Sequence, residues 1–229
     1  MSSILNLVRR DNNNVNRQNN EVRVMAFLEH TLGIMLHPDS EWKAIRNEKH
    51  SFRQVFLSHV PLLALIPTVC FYIGVTQVGW SVAGGDPVRL TAASALELCG
   101  LTYVALLLGV FVLGEFINFM AKTYGVKDSE EKRHYEGTAL AVYVTTPVFL
   151  VGIFGLYPDI WVNAIATGIA GAYAVYLIYE GIPILMNIDK DRAFMYASSV
   201  VTIGLVMMVV VRVAAVIMWN IGVGPVYVD

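Results

Sequence analysis

Five long apolar stretches, each able to span a bilayer, fill the chain from about Val55 to Trp219, and they settle the class of fold before any motif is considered. Between Arg53 and Asp86, 32 residues carry no formal charge apart from His59. Leu90 to Ala121 is another 32 with only Glu97 and Glu115, Gly137 to Pro158 gives 22 uncharged residues, Ile160 to Tyr179 gives 20, and Ala193 to Val228 gives 36 with one Arg212. About 20 mostly apolar residues in a helix cross the roughly 30 Å hydrocarbon layer, so all five pass. Strand spans would alternate apolar and polar residues; these runs are apolar on both parities and rich in Leu, Ala and Gly, so the spans are helices.

Orientation follows from the basic residues, because cytoplasmic loops retain Lys and Arg during insertion. Residues 1–56 hold eight of the sixteen, the loop from Lys122 to Gly137 holds four, and the loop after Tyr179 holds Lys190 and Arg192. The opposite side has only Arg89. This places the N-terminus in the cytoplasm and the C-terminal tail outside. Trp80, Trp161 and Trp219 fall at the outer ends of the first, fourth and fifth spans, where the headgroup interface favours indole rings.

The remaining segments leave no room for a separate folded catalytic domain. The first 50 residues are polar and show no signal-peptide core. Residues 1–23, with seven asparagines in the first 20, are expected to be disordered. Residues 24–54 are expected to form short amphipathic helices on the cytoplasmic side. In the first, Met25, Leu28, Leu32, Met35 and Leu36 recur at helical spacing; Pro38 stops it, and Asp39 or Ser40 can cap a second one. There Trp42 and Ile45 share a face, while Glu41, Lys43 and Arg46 point away. These helices pack on the spans or dock a partner. The spans are placed at about 55–79, 91–121, 138–157, 160–180 and 195–219 within a domain of residues 55–220, followed by an outer tail, 221–229.

Pro61, Pro67, Pro147 and Pro183 mark expected helix kinks, and Ser51 can cap the first span. The apolar run from Gly181 to Met186 is too short to cross and is expected to lie in the inner interface as a shelf or a re-entrant gate. Along the fourth span Ala164, Gly168 and Ala172 repeat every four residues, a stripe expected to pack against another helix of the chain or, failing that, against a second copy. Cys70 and Cys99 are expected to be inert packing residues.

Several stretches recur in a known family. They are His37-Pro38-Asp39 followed by Trp42 and Ile45, Ile66-Pro67 with Gly74-Val75-Thr76-Gln77-Val78-Gly79-Trp80, Tyr143-Val144-Thr145-Thr146-Pro147 through Tyr157-Pro158, and Tyr179-Glu180-Gly181-Ile182-Pro183 with Asn187-Ile188-Asp189-Lys190. On these residues the chain resembles the Yip1-domain membrane proteins, in particular the small bacterial inner-membrane members, over roughly residues 35 to 220. The resemblance implies an all-α, polytopic five-transmembrane-helix bundle with a cytoplasmic N-terminus. Eukaryotic members are implied in vesicle traffic through small GTPases and one another; the cytoplasmic segment lacks their Asp-Leu-Tyr-Gly-Pro stretch, so a small GTPase is not expected as a partner.

Ionisable groups inside a membrane are candidates for function. Glu97 and Arg212 both lie roughly 10 Å below the outer surface, where they can pair if the second and fifth spans touch. Glu115 lies in the inner part of the second span with Asn118 one turn along and without an evident basic partner. Catalysis finds little support: the five histidines are scattered, and metal-spaced cysteines, phosphate-cradling glycine loops and nucleophile elbows are missing from the sequence. No cofactor, metal or nucleic acid is expected. The expected role is non-enzymatic, organising membrane or protein partners through the cytoplasmic helices, or through self-association. The alternative is a small transporter or ion channel with a route near Glu97, Thr145, Thr146 and Arg212.

Overall fold

The computed structural model of the protein describes residues 30–48, 51–81, 86–220, 222 and 224–228, without the side chains of Trp219 and Asn220. The expected disordered segment 1–23, the start of the first amphipathic helix and the interface placement of Trp219 lie outside the described residues. Residues 30–36 are helical, and α1 follows at Pro38–Asn47. The spans are α2 (Phe52–Ile73), α3 (Ala92–Ala121), α4 (Glu130–Leu150), α5 (Ile160–Leu185) and α6 (Lys190–Asn220). All five are long and apolar enough to cross a membrane, and the chain is an all-α multi-pass bundle.

Each start has a local cause. Pro38 ends the preceding helix, yet it also opens α1 as its first residue, where a missing N–H is no loss. His37 therefore occupies the cap position, without a side-chain cap, in place of Asp39 or Ser40. Ser51, Thr91, Ser129 and Asp159 accept backbone N–H bonds at the heads of α2, α3, α4 and α5. Pro61, Pro67, Pro147 and Pro183 all lie inside helices that continue through them. After Pro147, α4 tightens into a 3-10 segment, Val151–Leu156, and α2 ends in a π turn, Gly74–Val78.

Two boundaries differ from the sequence expectation. α5 runs on through Pro183 to Leu185 where an interfacial shelf was expected, because Gly181, Ile182 and Leu185 are buried and α1 packs on them. α4 begins at Glu130 rather than near residue 138, since its charged first turns are drawn into the bundle, with Arg133 and Glu136 both buried.

α4 is the centre, buried without interruption from Tyr135 to Val144 and packed against α2, α3 and α5. Backbones approach closest between α2 and the end of α4. A Cβ on Gly152 would stand 2.4 Å from Pro67 Cβ, and one on Gly74 would stand 1.9 Å from the Gly155 carbonyl oxygen. The Ala164, Gly168 and Ala172 stripe packs on nothing among the described residues: all three are exposed, and a Cβ on Gly168 meets no atom within 4 Å. α5 packs instead by the face carrying Ala170, Leu177, Ile178 and Gly181. Cys70 and Cys99 are free thiols.

The two ends of the bundle differ. At one, called here the tail end, Trp80 and Val88 exchange backbone bonds of 3.0 and 2.8 Å, and residues 224–228 lie along Arg89–Ser94. Thr91 N–H donates to the Val226 carbonyl and Val228 N–H to that of Arg89, each at 2.9 Å. Ser94 Oγ donates to the Gly224 carbonyl and accepts from Val226 N–H. The other, basic end holds α1 and the loops from α3 to α4 and from α5 to α6.

Candidate functional site

The most extensive side-chain hydrogen-bond network joins α1 to the basic end of the bundle. The apolar side of α1, Trp42 and Ile45, is fully buried as its spacing predicts. Trp42 lies over Gly181, where a Cβ would come within 2.8 Å of both Trp42 and Leu140, and its ring meets Tyr143 edge-on at 6.2 Å. Tyr143 is a hub: His30 and His59 also meet its ring edge-on, at 5.9 and 5.3 Å. The Tyr143 hydroxyl and His59 Nε2 stand 3.4 Å apart.

Around this hub the polar groups tie the N-terminal helices down. His30 sits between two carboxylates, with Nδ1 on Glu41 and Nε2 2.9 Å from Glu48. Both ring nitrogens face acceptors, a geometry that suits the doubly protonated imidazolium. Hydrogen bonding to Glu48 raises the His30 pKa most; burial opposes it, Glu41 adds to it, and the result is about 9. The Tyr135 hydroxyl donates to the Ile45 carbonyl at 2.9 Å and lies 3.2 Å from Glu48. Tyr173 of α5 donates to the carbonyls of Ile34 and Met35 at 3.1 Å, closing the end of the preceding helix. Arg46 donates to the Ile184 carbonyl at 3.0 Å. Of the two residues expected to point away, Arg46 is therefore engaged with the bundle and Glu41 with His30 of the preceding helix.

Beside α1 is an open cleft of about 460 Å³, lined by Lys43, Arg46, Asn47, Lys132, Ile184 and Asn187 among others. Beneath it, Glu136 is fully buried, with Lys132 Nζ 3.4 Å from Oε1 and neither carboxylate oxygen in a hydrogen bond. Lys132 also pairs with Asp128 at 3.1 Å. Two residues from Glu136 along α4, His134 gives Glu115 of α3 the partner that its own helix lacks: His134 Nδ1 stands 3.5 Å from it, and His134 Nε2 3.0 Å from Asn118 Nδ2.

The residues proposed for a transmembrane route do not converge. Thr145 bonds back to the carbonyls of Ala141 and Val142, and Thr146 to that of Val142. Glu97 and Arg212 are both exposed on the outside of the bundle, and no ion pair joins them among the described residues. A second cleft, between α4, α5 and Met35, is almost wholly apolar, and neither cleft is lined by any of these four residues. Among the described residues no group of three His, Cys, Asp or Glu could hold a metal ion.

Sequence reasoning missed His30, Glu41, Glu48 and Tyr135 as one unit. A signal for its buried side was available: His59 is the lone basic side chain in 32 residues, and Tyr143 opens a recognised motif. The motifs that carried the resemblance meet here in space, Trp42 on Gly181 and Tyr143, with Pro67 on Gly152 further along α4.

No solved structure matches the chain. It is 36% identical over 195 residues to "Inner membrane protein YohC" of Escherichia coli strain K12, an alignment covering 85% of this chain and 98% of the relative, and equally similar to the protein of that name in strain O6:H1. The Yip1 domain family matches residues 32–211. The chain thus belongs to the Yip1-domain family of membrane proteins.

Proposed function

We propose that the protein is a non-enzymatic member of its family, seated in a bacterial cytoplasmic membrane, that organises membrane or protein partners through α1 and the cleft beside it. The basic end then faces the cytoplasm and the tail end faces outward, a reading supported by the fourteen-to-one split of the basic residues between loops and by the inner-membrane name of the relative. The observation that carries the role is the docking of α1. Its apolar face is consumed by the bundle, whereas Asp39, Lys43 and Asn47 are exposed beside a cleft edged with Lys and Arg. A transport route has less support, because Glu97, Thr145, Thr146 and Arg212 line no common cavity among those described.

Two measurements test the reading. Purified protein in proteoliposomes should pass K⁺, Na⁺, Cl⁻ and protons no faster than empty vesicles. A photo-crosslinker placed at Lys43 in cells should give discrete adducts that Arg46→Glu removes, whereas one at Ile165, exposed on α5, should not depend on Arg46. Ion flux that Glu97→Gln abolishes in folded protein would replace this role with transport.

A further inference from the structure

The tail-end halves of α3 and α6 each carry one side chain of opposite formal charge, Glu97 and Arg212, and both face away from the bundle. Neither has a hydrogen bond or ion pair among the described residues. Glu97 lies about 8 Å along the helix axis from the start of α3, and Arg212 about 12 Å from the end of α6. Residues 224–228, which follow α6, bond to Thr91 and Ser94 at the head of α3, so both helices end on one side of the bundle and the two charges lie at distances from those ends that differ by less than about one helical turn.

Their surroundings are apolar and, among the described residues, exposed. Leu96, Leu101 and Val104 flank Glu97 on the exposed face of α3, and a Cβ on Gly100 would meet nothing within 4 Å. Leu205, Met208 and Val209 form the corresponding stripe beside Arg212. α3 and α6 do touch near the basic end, where Tyr196 donates to the Ile117 carbonyl and stacks on Tyr124. Beyond Val200, however, no described residue of α6 is buried. A charge facing hydrocarbon is expensive and needs a counter-charge or a path to water. The long arginine stem can reach toward headgroups; the shorter glutamate has less reach.

We propose that a second copy of this chain supplies the counter-charges, Glu97 of each protomer pairing with Arg212 of the other across a two-fold axis along the membrane normal. Such an axis preserves depth, so two groups at one level in a protomer meet at one level in the dimer. An isologous contact also repeats the pair, since residue i touching j requires j to touch i. Two ion pairs then lie within one apolar seam made by the exposed faces of α3 and α6. The seam is independent of the cytoplasmic role proposed for α1.

The test is a charge exchange between differently labelled copies in liposomes, with dimerisation read by energy transfer as lipid dilutes the protein. Native protein should dimerise above the level of random collision. Glu97→Arg alone and Arg212→Glu alone should each weaken self-association at least tenfold. Mixed together, they should recover association to within about threefold of native, because the two substituted side chains then attract each other across one pair while the native partners meet at the other. In a background with Cys70 and Cys99 replaced by alanine, Glu97→Cys protein mixed with Arg212→Cys protein should form a disulfide-linked dimer on oxidation, and neither should do so alone. This arm keeps the test open if a charge-reversed variant fails to fold. Native protein that stays monomeric, or folded single variants that associate as well as native, would overturn the pairing.

Discussion

His30 is held by Glu41 and Glu48, with the Tyr135 hydroxyl also on Glu48 and the Tyr143 ring against the imidazole. Its pKa is raised from 6.5 to about 9, so the stability it lends to the docked N-terminal helices is full below about 6.5 and is lost as pH rises through about 9. The shift corresponds to roughly 3 kcal/mol at most. Hydrogen exchange of residues 30–48, corrected for intrinsic rates, should therefore be steady up to about pH 7 and accelerate toward about pH 10. His30→Gln should flatten that dependence. Glycines give a second residue-scale test. Gly152→Ala drives a methyl into Pro67 and should lower stability by about 1–3 kcal/mol, whereas Gly168→Ala enters open space and should change thermal melting little. The four-residue spacing marked Gly168, but nothing in the sequence singled out Gly152. Spacing reports which residues share a face, and only the packed neighbour tells whether that face is covered. Glu115 shows the same limit, since its partner His134 comes from another helix.

Among the elements, α1 is the one whose attachment is open to deletion without breaching a span. Trp42→Ala removes a fully buried ring from between Gly181, Leu140 and Tyr143 and should cost about 3–5 kcal/mol of docking. Brief proteolysis should then cut within residues 38–48 while the five spans stay intact. Tyr135→Phe, which loses only a hydroxyl bonded to Ile45 and Glu48, should loosen the same segment by roughly 1–2 kcal/mol. The amphipathic pair Trp42 and Ile45 was legible from spacing, and so was the cap at Ser51. The reach of α5 through Pro183 and the early start of α4 were not. Hydropathy sees a charged or proline-containing turn as the end of a span, whereas burial against α1 holds Gly181–Leu185 helical and the packing of α4 at the centre of the bundle keeps Glu136 inside.

For the whole molecule, the proposed orientation predicts that an impermeant thiol reagent added to intact cells labels Tyr227→Cys and spares Asn47→Cys, with Cys70 and Cys99 replaced by alanine. The reverse pattern would invert the topology. The number of spans and the side on which each loop lies relative to the others were legible from composition. Which helix forms the centre was not: α6 has the highest mean hydropathy of the five, 2.7, yet it is the least buried, at 6% of its most apolar window. Lipid and protein interior are equally apolar, so hydrophobicity does not distinguish the side of a helix that faces either one. The tail-end clasp also carries a consequence in time. Ser94 and the Gly224 carbonyl that it holds are 130 residues apart in the chain, so the loop before α3 emerges from the ribosome long before its partner exists. The clasp can close only after α6 has been inserted, and it then fastens the most loosely packed span at the tail end. Assembly thus has a late step, and until it is complete α6 is secured mainly through Tyr196, Ser198 and Ser199 near its first turns.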